Sequence, residues 1–393
     1  MYSILPSLLK CLPLLLCCLL SGNSCFAQDH TLIKQLLKEM AAGQISQDSF
    51  YYAGMFPSYR HYGYPTAKAV HDNNIFFTGL IGLTLQELSP LLPEEDKAVS
   101  QRIIQQAKAA YPHFQHSPQR YTFNFWKTNP QIVFPNSPFL NLFKKWHALP
   151  DDIDDTAILL LNMQVNDSIA LAVKQLMEAH TNTTNYRIRN TFRKYRDIPA
   201  YSTWFGKKMP IDFDFCVLTN ALYFIHTYAL PLSRHDSATI ELLGQLIDNR
   251  AYISHPAYIS PHYARTPVLL YHIARLLGKF PIPSLIKYKD QLIADTRQAL
   301  NDADNIMDQV ILHTTLIWLG APAQTLALGK KGINEITQND FIFFMAGFNS
   351  LLPNPFKQLG ANVSMIRYYY RCPAYNKALI LQYLVLRNAA AEG

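Results

Sequence analysis

The chain has 393 residues, of which 49% are hydrophobic and 16% charged, and its formal net charge is +7. This mild basic excess predicts no strongly basic surface for nucleic acid, and the apolar content is high enough for a large hydrophobic core. Only Cys216 and Cys372 lie beyond residue 28. A disulfide framework is therefore excluded, although one bridge between these two cysteines is possible.

The N-terminus has the layout of a secretory signal peptide. Lys10 precedes a largely apolar run, CLPLLLCCLL at 11–20, which is followed by small residues before Ala27. The run is shorter than the roughly 20 residues that span a bilayer. We predict a signal peptide over 1–27, a secreted or periplasmic location and no stable transmembrane segment after processing. A retained N-terminal membrane anchor is the alternative.

Two kinds of helical segment alternate after residue 28. Segments of the first kind begin with polar residues and continue as helices that are apolar on every side: 72–88, 151–165, 212–228, 262–277, 307–320, 340–352 and 375–386. Segments of the second kind are amphipathic, with apolar residues three or four positions apart: 97–111, 168–180, 237–248 and 287–300. Buried helices that alternate with half-exposed ones indicate a barrel of inner and outer helices.

We therefore predict an all-α fold, an α/α toroid of about six helical hairpins, as a single domain over 28–393. An ordinary helical bundle is the alternative. In a toroid the N-terminal ends of the inner helices meet at one mouth, where ligand sites commonly lie. The polar residues brought together there would be Asp72, the cluster at 151–155, Asp212, Asp214, His262, Arg265 and Asp308.

Two further stretches stand out between these helices. Residues 112–150 are rich in aromatic residues and proline, and they predict a long loop over one end of the barrel. Residues 186–196, YRIRNTFRKYR, alternate arginine with aromatic residues. That pattern suits phosphates or an anionic lipid, although a solvated connector has the same composition.

The acidic cluster lies in PDDIDDTAILLL at 150–161. One or two aspartates there would cap the helix and gain from its dipole, but four repel one another. If they are crowded into a half-buried mouth, at least one must hold its proton to a higher pH. A neutral carboxylic acid in an apolar cavity is a proton donor. The alternatives are an over-capped helix or ion pairs with Arg60, Arg265 or Arg371.

The segment DIDDTA at 152–157 resembles the D-x-D-D-T-A motif that heads an inner helix in terpenoid cyclases of the squalene–hopene and copalyl diphosphate type. The predicted toroid is similar to the fold that this family shares with protein prenyltransferase β-subunits. The resemblance implies that Asp154 protonates an alkene or epoxide, and that Asp152 and Asp155 tune and orient it. It implies an apolar polyene substrate in a central cavity, without a cofactor or a metal.

Two metal chemistries could use overlapping residues. The aspartates at 151, 152 and 155 also form D-D-x-x-D, which resembles the magnesium–diphosphate motif of ionising terpene synthases. Asp214 and Cys216, together with His262, resemble the zinc ligands of protein prenyltransferases. Both remain alternatives to a metal-free acid site.

A glycan-active hydrolase or lyase is the main alternative function. Such an enzyme needs two carboxylates across a cleft, and Asp154 could face Asp72 or Asp214. Aromatic side chains could stack on sugar rings, and the candidates are Trp126, Trp146, Tyr201 and Trp204. A non-catalytic toroid that binds a lipid or a protein is the second alternative. The substrate-binding residues predicted across these readings are Asp72, Asp214, Trp126, Trp204, His262 and Arg265.

Overall fold

The computed structural model describes residues 28–137, 149–184, 186–206, 209–326, 328, 337 and 341–392. Its long helices are α1 (28–43), α2 (Phe76–Leu88), α3 (Glu94–Ala110), α4 (Ile153–Met163), α5 (Asp167–Glu178), α6 (Phe215–Thr227), α7 (Arg234–Asp248), α8 (Thr266–Lys279), α9 (Lys289–Asn301), α10 (Ile306–Trp318) and α11 (Pro373–Glu392). Four short helical turns cover Ala251–Ser254, Pro256–Ile259, Pro283–Ile286 and Phe356–Gly360. The prediction of a mainly helical fold is confirmed.

Six of the long helices follow one another as packed neighbours. Helix α2 packs on α4, α4 on α6, α6 on α8, α8 on α10, and α10 on α11, and α11 returns to pack on α2. These are the helices that the sequence predicts to be apolar on every side. Three amphipathic helices contact members of this series: α3 contacts α2, α7 contacts α6, and α9 contacts α10 and α8.

A small antiparallel sheet was not predicted. Its strands are β1 (Ser58–Tyr62), β2 (Val70–Asp72), β3 (Phe344–Gly347) and β4 (Arg367–Arg371), in the order β2-β1-β4-β3. In the register, Tyr370 of β4 lies opposite Arg60 on one side and Phe344 on the other. The sheet therefore pairs a strand near the beginning of the described chain, β1, with a strand near its end, β4.

The prediction of a helix over 340–352 is wrong. Its centre forms β3, and a single helical turn, Phe348–Leu351, follows. Periodicity cannot separate a short apolar run from a buried strand. Aromatic residues such as Phe343 and Phe344 favour a pleated surface, where alternate side chains point to opposite faces. Phe343 contacts Tyr271 and Tyr375, whereas Phe344 contacts Phe76 and Phe125.

One hydrophobic cluster extends from Ile33 in α1 to Val385 in α11. Cys216 and Cys372 are both buried inside it as free thiols. No helix in the described ranges is long and apolar enough to cross a membrane. The proposed signal peptide, residues 1–27, and Trp146 of the 112–150 loop lie outside the described residues.

Candidate functional site

A cavity with an empty volume of about 740 Å³ opens at the N-terminal ends of the central helices. Phe76 begins α2, the acidic cluster begins α4, Val217 lies in the first turn of α6, and His262 precedes α8. Its acidic lining residues are Asp152, Asp154 and Asp155. Its aromatic lining residues are Phe76, Phe125, Trp126, Phe134, Trp204, Phe344 and Tyr370. We call this space the acid cavity.

The chain before α4 is clamped from two sides. The Asp152 amide donates to the Phe123 carbonyl at 3.2 Å, and the Ile153 amide donates to the Thr203 carbonyl at 2.9 Å. The Phe205 amide in turn donates to the Asp151 carbonyl. Asp152 is the N-cap of α4 and accepts a hydrogen bond from the Asp155 amide, as the sequence predicts. These contacts fix the direction in which α4 presents its carboxyls.

Asp154 is buried and accepts two side-chain hydrogen bonds. The Tyr263 hydroxyl donates to Oδ2 at 2.5 Å, and the Asn220 amide donates to Oδ1 at 2.6 Å. The buried Arg275 guanidinium donates to the Asn220 carbonyl oxygen at 2.7 Å, which fixes the orientation of that amide. Burial raises the pKa of Asp154 to about 6, although the hydrogen bonds from Tyr263 and Asn220 oppose the rise.

Asp152 and Asp155 form a buried carboxyl pair. Burial and the neighbouring Asp154 charge raise the pKa of Asp152 to about 8. Burial and the Asp152 charge raise the pKa of Asp155 well above its ordinary value. Asp155 Oδ1 is buried and has no hydrogen-bond partner among the described residues. Two carboxyls in such a pair cannot both ionise cheaply, so the pair retains a proton near neutral pH.

Asp151, the fourth aspartate, is not among the residues that line the acid cavity. The Thr122 hydroxyl donates to Asp151 Oδ2 at 2.6 Å, and His116 Nδ1 lies 2.6 Å from Oδ1. The D-D-x-x-D pattern thus has its first carboxylate bonded away from the cavity. Among the described residues, no group of three or more His, Cys, Asp or Glu side chains could hold a metal ion.

Asp72 is fully buried behind the cavity wall rather than on it. Its carboxylate pairs with Arg60 and also accepts hydrogen bonds from the Asn74 amide groups. The Trp126 indole donates to the same carboxylate at 2.9 Å. The ring of Trp126 therefore lines the cavity, while its indole N–H is bonded to Asp72 behind the wall.

Asp214 caps α6 and is also fully buried. Its Oδ1 accepts from the Cys216 and Val217 amides and from the Ser260 hydroxyl. Its Oδ2 accepts from the His262 amide at 3.0 Å. Neither Asp72 nor Asp214 lines the acid cavity. The structure does not bring either residue to the cavity as a second carboxylate opposite Asp154.

His262 and Trp204 are brought to the cavity, as the sequence predicts. Their rings meet edge to face with centroids 5.6 Å apart, and His262 also stacks on Phe344 at 6.2 Å. His262 Nε2 lies 4.0 Å from Asp212 Oδ2, and neither atom has a hydrogen-bond partner within the described part of the chain. His262 can therefore contact a ligand in the cavity, with a carboxylate behind it.

The candidate arginines lie elsewhere. Arg265 pairs with Asp308 and donates to the Ile342 carbonyl, and it does not line the cavity. Arg371 donates to the Pro65 carbonyl. The described partners of the Asp154 carboxylate are Tyr263 and Asn220, so this carboxylate is not ion-paired directly with Arg60, Arg265 or Arg371.

Sequence reasoning missed the residues that hold Asp154. Asn220 and Arg275 are polar residues inside helices that are otherwise apolar, and a buried polar group needs a partner. That signal could have marked both residues as members of a buried network. Tyr263 carries no comparable signal, because it lies in a loop that only the fold brings to α4.

No protein-family model, no curated protein and no solved structure matches this chain. The geometry of the acid cavity is therefore the ground for a functional conclusion.

Proposed function

We propose that this protein is a terpenoid-cyclase-like enzyme that protonates an apolar polyene in the acid cavity. One observation carries the proposal: three buried carboxyls with raised pKa values line a cavity whose other walls are mainly aromatic and aliphatic. A carboxylic acid that stays protonated near neutral pH can protonate an alkene. Aromatic faces carry partial negative charge, so they stabilise the carbocation that follows.

The proposed scaffold is an α/α toroid. The neighbour order α2, α4, α6, α8, α10, α11 and back to α2 supports an inner ring of six helices. The acid cavity at their N-terminal ends would be the mouth of that ring. Helices α3, α7 and α9 would belong to the outer layer, because each packs against a member of the series.

We assign proton delivery to the pair of Asp152 and Asp155, and we expect Asp154 to have a different role. An alkene is a poor hydrogen-bond acceptor, so the donor should have an oxygen without a polar partner in the resting enzyme. Asp155 Oδ1 meets this condition. Both oxygens of Asp154, the donor that the motif implies, are already occupied by Tyr263 and Asn220. Asp154 then supplies a fixed negative charge beside the cation, and Asp152 shares the proton with Asp155.

The test is cyclisation of linear polyprenes in D₂O, with squalene and shorter polyprenes as probes and mass spectrometry as the readout. Protonation by the enzyme places one deuterium in each cyclised product. Asp155→Asn should lower the rate by about 100- to 10,000-fold, the usual contribution of a positioned acid. Asp154→Asn should lower it by about 100- to 1,000-fold, because the negative charge beside the cation is lost.

Asp96→Asn is the matched control, because Asp96 is also a buried carboxyl whose pKa is raised by burial, but it lies on α3 outside the cavity. It should leave the rate unchanged. Unchanged turnover in Asp154→Asn and Asp155→Asn would contradict the assignment, as would the absence of a deuterated cyclic product with every probe.

A further inference from the structure

Exposed apolar side chains are concentrated near the C-terminal strand. More than half of the exposed large hydrophobic residues in the described ranges belong to one set: Tyr62, Tyr64, Leu351, Leu352, Phe356, Leu359, Val363 and Met365. Leu359 is 74% exposed and Met365 is 63% exposed. Soluble proteins rarely group so many apolar side chains at the surface without a binding partner. We call this set the apolar face.

Contacts connect the members of the apolar face. The Gly63 amide, between the two tyrosines, donates to the Arg367 carbonyl, and a Cβ on Gly63 would lie 3.9 Å from the Met365 Cα. A Cβ on Gly360, at the end of the Phe356–Gly360 turn, would lie 3.2 Å from Ile366. The turn, the 363–366 segment and β1 are therefore neighbours.

The apolar face is held in place by buried polar contacts. Lys357, next to the exposed Phe356, is buried and places its ammonium 2.7 Å from Asp212. The Asn354 amide group donates to the Thr191 carbonyl and to the Tyr258 hydroxyl. Because the backbone is fixed on both sides of Phe356, the fold itself directs these apolar side chains to solvent.

A second cleft, with an empty volume of about 1650 Å³, adjoins the apolar face. Arg187, Arg189 and Arg196 line it, and we call it the arginine cleft. Leu351 and Met209 line both the arginine cleft and the acid cavity, so the two spaces are adjacent. In the ranges that the structure describes, Arg196 Nε is buried without a hydrogen-bond partner, and Arg187 pairs only with the exposed Asp197.

The charge of this surface is mainly positive, although the exposed Asp197 pairs with Arg187 there. The sequence contains no aspartate or glutamate between 341 and 372, and none in the arginine-rich segment 186–196. Apolar side chains beside arginines complement a bilayer with anionic lipids, because the acyl region accepts the former and phosphates pair with the latter. A symmetric pairing of two copies would place the arginines of one copy near those of the other, which is unfavourable.

We propose that the apolar face and the arginine cleft dock on the surface of an anionic lipid bilayer. Phe356, Leu359 and Met365 enter the acyl boundary, and the arginines bind lipid phosphates. In this orientation the acid cavity lies near the bilayer, because Met209 and Leu351 line both this cavity and the arginine cleft. The proposal concerns binding, and it does not depend on the chemistry in the cavity.

Vesicle sedimentation tests the proposal with the chain from Gln28 onward, which contains the whole described fold and lacks the apolar run at 11–20. The probes are vesicles of phosphatidylcholine alone and of phosphatidylcholine mixed with phosphatidylglycerol. We expect strong binding to the mixed vesicles, weaker binding to the neutral ones, and a loss of affinity as salt is raised.

Two sets of variants separate the contribution of the apolar side chains to vesicle binding from that of the arginines. Leu359→Gln combined with Met365→Gln should weaken binding to both vesicle types by at least about tenfold. The matched control is Leu232→Gln, because Leu232 is 56% exposed but lies outside the apolar face. Arg189→Gln should weaken binding roughly fivefold, and only to anionic vesicles, whereas Arg297→Gln on α9 should have no effect.

Two results would overturn the proposal. The first is equal binding to both vesicle types by the wild type and all variants, or binding to neither. The second is a wild type that is dimeric without lipid, together with a monomeric Leu359→Gln and Met365→Gln variant, which would make the apolar face an interface between copies. Circular dichroism verifies that each variant is folded.

Discussion

Tyr263 controls how readily Asp154 gives up its proton. The folded-state pKa of Asp154, about 6, lies above its ordinary value of 3.8 because the carboxyl is buried. A raised pKa means that the folded state binds the proton more tightly than the unfolded state. This contribution to the free energy of unfolding is therefore fully present at low pH and decreases as pH rises from about 4 through 6.

Tyr263→Phe should enlarge the difference in the free energy of unfolding between pH 5 and pH 8. The hydroxyl stabilises the ionised carboxyl, so its removal raises the pKa of Asp154 further. We expect a loss of about 1.5–3 kcal/mol in the free energy of unfolding at pH 8, where the acceptor is charged, and about 1 kcal/mol at pH 5, where it is largely neutral. Urea unfolding at the two pH values measures both numbers.

The matched control is Tyr271→Phe. Tyr271 is also fully buried, and its hydroxyl donates to the neutral Gln382 side chain at 2.7 Å. Removal of this hydroxyl should lower the free energy of unfolding by about 1 kcal/mol at both pH values. Equal losses at pH 5 and pH 8 for Tyr263→Phe would show that Asp154 does not titrate in this range.

At the scale of elements, the close packing of neighbouring helices depends on glycine. A Cβ on Gly278 of α8 would lie 2.9 Å from the Trp318 carbonyl oxygen of α10, a backbone atom that cannot rotate away. A Cβ on Gly43 at the end of α1 would meet no atom within 4 Å. Alanine at Gly43 therefore tests helix propensity alone, whereas alanine at Gly278 also tests the packing of two helices.

Gly278→Ala should lower the free energy of unfolding by about 1–3 kcal/mol, because α8 and α10 must move apart. Gly43→Ala should leave it unchanged or raise it by up to about 1 kcal/mol, because alanine favours a helix. Chemical denaturation of the two variants gives both values. A stabilised Gly278→Ala protein would mean that α8 and α10 are not in close contact there.

At the scale of the whole molecule, α11 joins the two ends of the helical series. It packs on both α10 and α2, and a single hydrophobic cluster includes residues from α1 to α11. We therefore expect one cooperative unfolding transition for the chain from residue 28, as predicted for a single domain.

Truncation after Cys372 tests this expectation. Loss of α11 would expose the packed sides of α2 and α10, so the shortened chain should lack a cooperative transition. In the longer chain, circular dichroism and tryptophan fluorescence should report the same midpoint. Two separate transitions there, or an unchanged midpoint in the truncated chain, would indicate two independent units.

The sequence by itself determined where most helices lie, because hydrophobic periodicity and capping act over a few residues. The sequence predicted that one or two aspartates of the acidic cluster cap a helix, and Asp152 does so. It placed Asp212 and Asp214 at the polar start of an apolar helix, and Asp214 is the cap. The strand at 344–347 could not be identified in this way, because its pairing partners at 367–371 are decided by the fold.

Only the tertiary structure decided which carboxyls share a cavity. Asp72 ends β2 just before α2, and Asp154 lies in the first turn of the neighbouring helix α4. Yet Asp72 is bonded to Arg60 and Trp126 behind the wall, whereas Asp154 lines the cavity. The physical reason is that burial and hydrogen bonds to residues far along the chain set the pKa of a carboxyl. A sequence motif identifies a candidate carboxyl, and the partners that the fold brings to it determine whether it is protonated.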